Sequence, residues 1–205
     1  VWGFVQPIFG AIADKKGSFG VLVLGAFIMS LGLILTPFAN TDFILMLTLG
    51  ILCSAGAAAG SFSILIGATA KNLPANKRSF ASGFINAGGS FGQFIFAPIT
   101  QTVINGLGWI WAMITLALST LLTIPLAKTL TSQSKKETII IENPVEELKL
   151  KNQVFIALKD KSYIYLHLGF FTCGFHVAFL STHLPGEVAL CGHSASVSAF
   201  SLALI

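Results

Sequence analysis

Only 10% of the 205 residues are Asp, Glu, Lys or Arg, while 54% are hydrophobic and mean hydropathy is +0.83. A soluble domain carries roughly 25% charged residues, so the composition excludes one or two ordinary soluble domains. A net charge of +4 would admit a nucleic-acid partner if the basic side chains formed one patch, but all 12 fall in three places: Lys15 and Lys16; Lys71, Lys77 and Arg78; and seven from Lys128 to Lys161.

Between and beyond these places run charge-free stretches at 17–41, 43–70, 79–127, 162–186 and 188–205. A helix needs roughly 20 apolar residues to cross a bilayer, and most of the stretches meet that. The intervening loops hold only Asp42 and Glu187, so the positive-inside rule puts all three basic loops on the cytoplasmic side of the plasma (cell inner) membrane. Basicity here reports orientation, and no nucleic-acid partner is expected. Cys53, Cys173 and Cys191 have no paired spacing, which points to neither a disulfide framework nor a zinc site. No metal and no cofactor are expected. Val1 lies inside one apolar run and Ile205 inside another, so the chain reads as a fragment.

In chain order, residues 1–13 read as the second half of a helix running toward the cytoplasm. Gly3, Pro7 and Gly10 fall near one face and would permit close helix contact. Gln6, beside the carbonyl that Pro7 frees, is expected to face a central cavity, because a polar group is costly against lipid. The segment Gly10-Ala-Ile-Ala-Asp14-Lys15-Lys16-Gly17 then reads as a tight charged turn, with Asp14 able to cap the next helix. This turn resembles the signature between helices two and three of the major facilitator superfamily of secondary transporters, Gly-x-x-x-Asp-Arg/Lys-x-Gly-Arg/Lys. Gly10, Asp14, Lys15 and Gly17 match it, and Ser18 stands where the pattern has a basic residue.

Residues 20–38 return outward to a turn at Thr36-Pro37-Phe38-Ala39-Asn40, and residues 43–70 cross inward again. In the second of these, Gly56, Gly60, Ser63 and Gly67 form a small-residue seam, read as structural packing. The next helix is expected from Ser79. Its Arg78, Ala81, Gly83, the run Asn86-Ala-Gly-Gly-Ser90-Phe-Gly92, Pro98 and Gly108-Trp109 resemble helix five of the monocarboxylate and oxalate/formate porter branch. Drug/proton antiporters of the superfamily usually carry an arginine within helix four, and none lies between Phe43 and Ala70. Asn86, Ser90, Gln93 and Thr100 share one face, a polar stripe that must look at protein or water. It reads either as interhelical hydrogen bonding or as a wall of the substrate path.

An outer turn is expected at Asn105-Gly106-Leu107-Gly108, with Trp109 and Trp111 as interfacial anchors, before residues 108–127 return inward. The only long polar segment, 128–161, resembles the cytoplasmic connection between the superfamily's two six-helix halves. Asn143, Pro144 and Glu146 offer a helix start there, and Leu148, Phe155 and Leu158 one apolar side. A short amphipathic helix along the inner membrane surface is expected, with a solvated linker as the alternative. Residues 162–184 read as helix seven. His176 and His183 stack on one face, with Thr172 and Cys173 a turn below, and imidazole can exchange a proton near neutral pH. His183, before Leu184-Pro185, could alternatively cap the helix end. His167 points away from His176, and His193 sits in the outer loop. Residues 194–205 begin another helix. Cys173 to Phe179 and His183-Leu184-Pro185 also resemble helix seven of bacterial members of the porter branch.

The resemblance implies an all-α membrane protein, a fragment of a twelve-helix bundle from the end of helix two through the start of helix eight. Its parts would be 1–127, the N-terminal half-bundle; 128–161, the cytoplasmic inter-half loop; and 162–205, the start of the C-terminal half. It implies transport of a small organic anion, a monocarboxylate or dicarboxylate, by alternating access with proton symport or exchange. Gln6, Asn86, Ser90, Gln93, His176 and His183 would line the substrate path, and Gly10, Asp14, Lys15, Gly17 and Arg78 would form the cytoplasmic gate, with Arg78 also suited to lipid headgroups. Partners would be the small-molecule substrate, with a proton, and the lipid bilayer; no obligatory protein partner is evident. An exporter of neutral solutes or drugs is the nearer alternative. A remote one is an intramembrane enzyme, which lacks an acidic or third ligand because every Asp and Glu sits outside the expected spans.

Overall fold

The computed structural model describes residues 1–70, 73–132 and 150–204, and the regular elements among them are all helical. By backbone contacts the chain forms two compact units, Val1–Thr138 and Ile139–Ile205.

In the first unit α1 (Trp2–Lys16) passes into α2 (Ser18–Leu35) through Gly17 alone. Gly17 has φ +92° and ψ 147°, a backbone region that a Cβ makes costly, so glycine permits the abrupt reversal. The expected charged turn is therefore mostly helix. Lys15 and Lys16 lie in the last turn of α1, where cations complement the helix dipole. Asp14 belongs to α1 and does not cap α2, whose N-cap is Gly17 with no side-chain bond. A 3₁₀ turn over Thr36–Phe38 ends this pass, and Thr36 Oγ1 donates to the Gly32 carbonyl oxygen at 2.7 Å.

The next pass is interrupted where continuity was expected. Thr41 caps α3 (Asp42–Leu45), accepting from the Ile44 N–H at 3.3 Å, and a π-helical stretch, Met46–Cys53, leads into α4 (Ser54–Ala59). The helix then breaks at Gly60 and Ser61 and resumes as α5 (Phe62–Ala70). α6 (Ala75–Leu107) runs through Pro98 and through the expected outer turn, where Gln101 Nε2 donates to Asn105 Oδ1 at 2.9 Å along the same helix. The reversal is confined to Gly108, at φ +91°. α7 (Trp109–Leu121) and α8 (Thr123–Ser132) meet at Leu122, because Pro125 has no N–H to offer the Leu121 carbonyl.

α2 is the hub of this unit, packed against α1, α4, α7 and α8. Its approach to the following pass depends on missing side chains. A Cβ on Gly56 would lie 2.6 Å from the Met29 backbone nitrogen, one on Gly25 2.5 Å from Ala59 Cβ, and one on Gly32 2.7 Å from Cys53 Sγ. Such close packing replaces the hydrophobic effect, which gives little drive between helices already in lipid. Phe9, Ala13, Val21, Ala58, Ala59 and Ile64 form the buried cluster beside it. The expected seam is thus half right. Gly56 is a contact point, whereas Gly67, like Gly3 and Gly10 of α1, meets nothing within 4 Å among the described residues.

In the second unit α9 (Leu150–Lys159) is followed after Asp160 by α10 (Lys161–Leu190) and, beyond a turn with Gly192 at φ +78°, by α11 (Ala195–Ala203). α10 continues through Pro185, so His183 lies in mid-helix and does not cap an end, and Glu187 is helical as well. The expected helix start at Asn143 and the apolar Leu148 lie outside the described residues.

Among the described residues, four segments are long and apolar enough to cross a membrane: Ser18–Phe38, Asp42–Ala70, Trp109–Thr129 and Lys161–Leu190. α6, at 33 residues, is longer than any of them, but Ser, Asn, Gln and Gly dilute its apolar character.

Gly56→Ala should destabilise the protein by about 1–3 kcal/mol, the usual cost of overpacking, because the added carbon meets Met29 backbone rather than a flexible tip. Gly67→Ala should be neutral or mildly stabilising. Thermal unfolding of the two purified variants in one detergent compares them directly.

Candidate functional site

Hydroxyls in these helices mostly bond to their own backbone. Thr69, Thr102, Thr115, Thr172 and Thr182 each donate to the carbonyl four residues earlier, at 2.6–3.1 Å. Side chains that depart from this habit are therefore informative.

Gln6 is one. Its Nε2 donates to Ser63 Oγ at 2.8 Å, joining α1 to the first turn of α5 across 57 residues of sequence. Ser63 Oγ lies 3.1 Å from Ser61 Oγ, and Ser61 is buried at the helix break. Gln6, Ser63 and Ser61 thus make a hydrogen-bonded chain where the backbone of the Asp42–Ala70 pass is interrupted. Pro7 follows Gln6 on one side and Gly60 precedes Ser61 on the other, so both helices are locally weakened where the polar groups meet.

Phe62 extends this cluster toward α6. A Cβ on Gly89 would lie 2.5 Å from Phe62 Cζ, so the ring rests on the backbone of α6 at Gly89. At about 100° per residue, Gly89 sits at the rim of the stripe formed by Asn86, Ser90 and Gln93. All three are exposed, and among the described residues Asn86 and Ser90 make no side-chain hydrogen bond, whereas Gln93 is engaged. The start of α5 therefore lies between Gln6 on α1 and the polar stripe on α6. Sequence reasoning missed Ser61, Phe62 and Ser63, because a small-residue seam looks the same whether it packs a helix or breaks one. The signal available was Gly60-Ser61 in the middle of a long apolar pass.

The gate residues are less assembled. Arg78 Nε donates to the Leu73 carbonyl oxygen at 3.2 Å, tying the first turn of α6 to the loop before it. Asp14 and Lys15 are both engaged at the end of α1, and Gly17 provides the turn. A cavity of about 500 Å³ between α2, α4, α5, α7 and α8 contains none of the expected site residues. It is apolar, and its two hydroxyls, Thr120 and Thr123, donate to the Ala117 and Thr120 carbonyl oxygens.

In the second unit His176 Nδ1 lies 2.9 Å from the Thr172 carbonyl oxygen. A carbonyl only accepts, so Nδ1 carries a proton and Nε2 is left as a free acceptor on the exposed side of α10. His183, seven residues on and on the same face, packs its ring 4.8 Å from that of Phe179. His167 makes the same bond as His176, to the Tyr163 carbonyl oxygen at 3.1 Å, but its ring lies against Tyr163 at 4.2 Å on the opposite face.

The family model described as Major Facilitator Superfamily matches residues 2–205. Among curated proteins, the chain is 30% identical over 111 residues to Monocarboxylate transporter 13 of Rattus norvegicus, covering 54% of this chain and 26% of that protein. It is 25% identical over 175 residues to Monocarboxylate transporter 13 of Bos taurus, covering 80% and 41%. To Monocarboxylate transporter 12 of Homo sapiens it is 35% identical over 95 residues, covering 46% and 18%. The matches thus span less than half the length of these relatives. No solved structure matches.

Removing either partner of the Gln6–Ser63 bond should cost stability by a coupled amount. A double-mutant cycle of Gln6→Leu and Ser63→Ala is expected to give about 0.6 kcal/mol, the mean for hydrogen bonds between membrane helices. Unfolding of the four proteins in detergent measures the coupling.

Proposed function

The chain belongs to the Major Facilitator Superfamily, and on that premise we propose that it forms part of a secondary active transporter of a small organic anion, of the monocarboxylate or dicarboxylate type. The observation that carries this reading is the likeness of the chain to several proteins named monocarboxylate transporters. Transport proceeds by alternating access, one half of the bundle rocking against the other around a central site, with proton symport or exchange. The basic loops face the cytoplasm, and the protein resides in the plasma membrane.

The polar groups described above support a path for such a cargo. Gln6, Asn86, Ser90 and Gln93 offer amides and hydroxyls that both donate and accept, suited to a carboxylate and to a substituent hydroxyl. Gln6 is held by Ser63 and is thereby oriented. His176, with Nε2 free to accept, takes the coupling proton, and His183 continues the same face toward the outer end of α10. No Lys or Arg lies within the four apolar passes away from their ends, so the cationic partner of the anion comes from elsewhere in the bundle. Asp14, Lys15, Gly17 and Arg78 stabilise one of the two states at the cytoplasmic gate.

Proteoliposomes containing the full-length protein should take up labelled monocarboxylates or dicarboxylates saturably, faster with the outside acidic. Failure to see such flux with carboxylates, together with flux of neutral solutes, would replace the cargo assignment with that of an exporter of neutral compounds. His176→Gln should lose the pH dependence while retaining carboxylate exchange. Orientation is checked separately: single cysteines at Asp42 and Lys77 should react with impermeant thiol reagents from opposite sides of the membrane.

A further inference from the structure

Phe62 is the first residue of α5 and is 41% exposed; Ser61 and Ser63 flank it, so the turn that carries the Gln6 hydrogen-bonded chain also carries a ring. The break before it decides where that ring goes. Ala59 faces Gly25 on α2, where an added Cβ would meet it at 2.5 Å, and in an unbroken helix Phe62 would stand within about 60° of that side. So close a contact has no room for a phenyl group. With the helix interrupted at Gly60 and Ser61, α5 restarts from the Ser61 carbonyl oxygen, which accepts from the Ile64 and Leu65 N–H groups at 3.1 and 3.2 Å, and Phe62 reaches α6 instead.

There the ring is backed by main chain. A Cβ on Gly89 would lie 2.5 Å from Phe62 Cζ and 2.9 Å from Cε1, so the ring tip has no room to withdraw toward α6. About 60° around α6 from Gly89 lies Asn86, which like Ser90 makes no side-chain hydrogen bond among the described residues. On the other side, Ser63 points roughly 100° from Phe62 around α5 and holds Gln6. An apolar surface that cannot retreat thus lies between two sets of polar groups. Such a place suits a short molecule with one polar and one apolar end, because hydrogen bonding fixes the first and the ring meets the second.

Resting on the carboxylate reading above, we propose that Phe62 sets the length of the cargo's apolar tail. The carboxylate and any hydroxyl or oxo substituent meet the amides, and the tail ends against the ring. Gly89 is a positioning residue that acts through Phe62.

The test uses the full-length protein in proteoliposomes and compares transport efficiencies for pyruvate and its longer homologue α-ketocaproate. Phe62→Ala should raise the ratio of long to short by about tenfold, the low end of what a methylene is worth in an apolar pocket. Gly89→Ala should lower it by a similar factor, because the added carbon meets the tip of a movable ring and pushes it into the path. Gly88→Ala, whose Cβ meets nothing within 4 Å among the described residues, favours the helix equally and should leave the ratio unchanged. The double variant Phe62→Ala, Gly89→Ala should match Phe62→Ala alone. Equal changes for both acids, a Gly88→Ala shift as large as that of Gly89→Ala, or a Gly89→Ala effect that survives without the ring would overturn the proposal. A second readout is independent of the cargo. In a cysteine-free background the thiol of the Phe62→Cys variant should react with a hydrophilic methanethiosulfonate, and absence of reaction would overturn the proposal whatever is carried. If the unaltered protein moves neither acid, the cargo assignment falls by itself, and this reactivity decides whether Phe62 lines the path.

Discussion

Backbone contact between α2 and the pass that follows it is the interaction on which the first unit depends. Gly25, Gly32 and Gly56 remove the side chains that would hold the two helices apart, and Met29, Cys53 and Ala59 occupy the room so gained. Numbers rise along one helix as they fall along the other, as antiparallel neighbours require. In lipid such contact has to come from dispersion, because apolar side chains are solvated almost as well by acyl chains as by each other. Once α2 is seated, α1 packs along it through Phe9 and Ala13, and α7 and α8 close its other side.

The same scarcity of water explains why the polar groups separate into two kinds. Threonine hydroxyls that only need a partner find one on their own helix, four residues back, and add nothing to specificity. Gln6, Ser61 and Ser63 instead bond between elements or across a helix break, and Asn86 and Ser90 stay open to whatever fills the space beside α6. At the break in the third pass, Ser61 and Ser63 bond each other and Gln6 rather than a carbonyl of their own helix.

The candidate site was partly legible in the residues. Gln6 beside Pro7 and the stripe from Asn86 to Gln93 were visible because amides in apolar helices are expensive and helical spacing is regular. The partner of Gln6 was not visible, since Ser63 is 57 residues away and its role depends on how α1 and α5 meet. His176 and His183 were placed on one face by their spacing, but only the local geometry distinguishes them: His176 bonds to a carbonyl, whereas His183 stacks on Phe179. The turn signals were the least reliable. Asn105-Gly106 and Leu184-Pro185 were absorbed into long helices, because in a membrane an unbroken hydrogen-bond ladder outweighs a local preference for turning.

The sequence by itself determined that the chain is helical, apolar and membrane-bound, and that its charges gather in a few places. Those properties follow from composition and from the cost of unpaired backbone in lipid, and both are readable one residue at a time. Tertiary structure alone decided that the reversals narrow to Gly17 and Gly108, that the third pass breaks at Gly60 and Ser61, and that Gly56 rather than Gly67 is a point of contact. Each of these depends on which neighbour approaches and how closely. A pattern of small residues permits such an approach without saying where it happens.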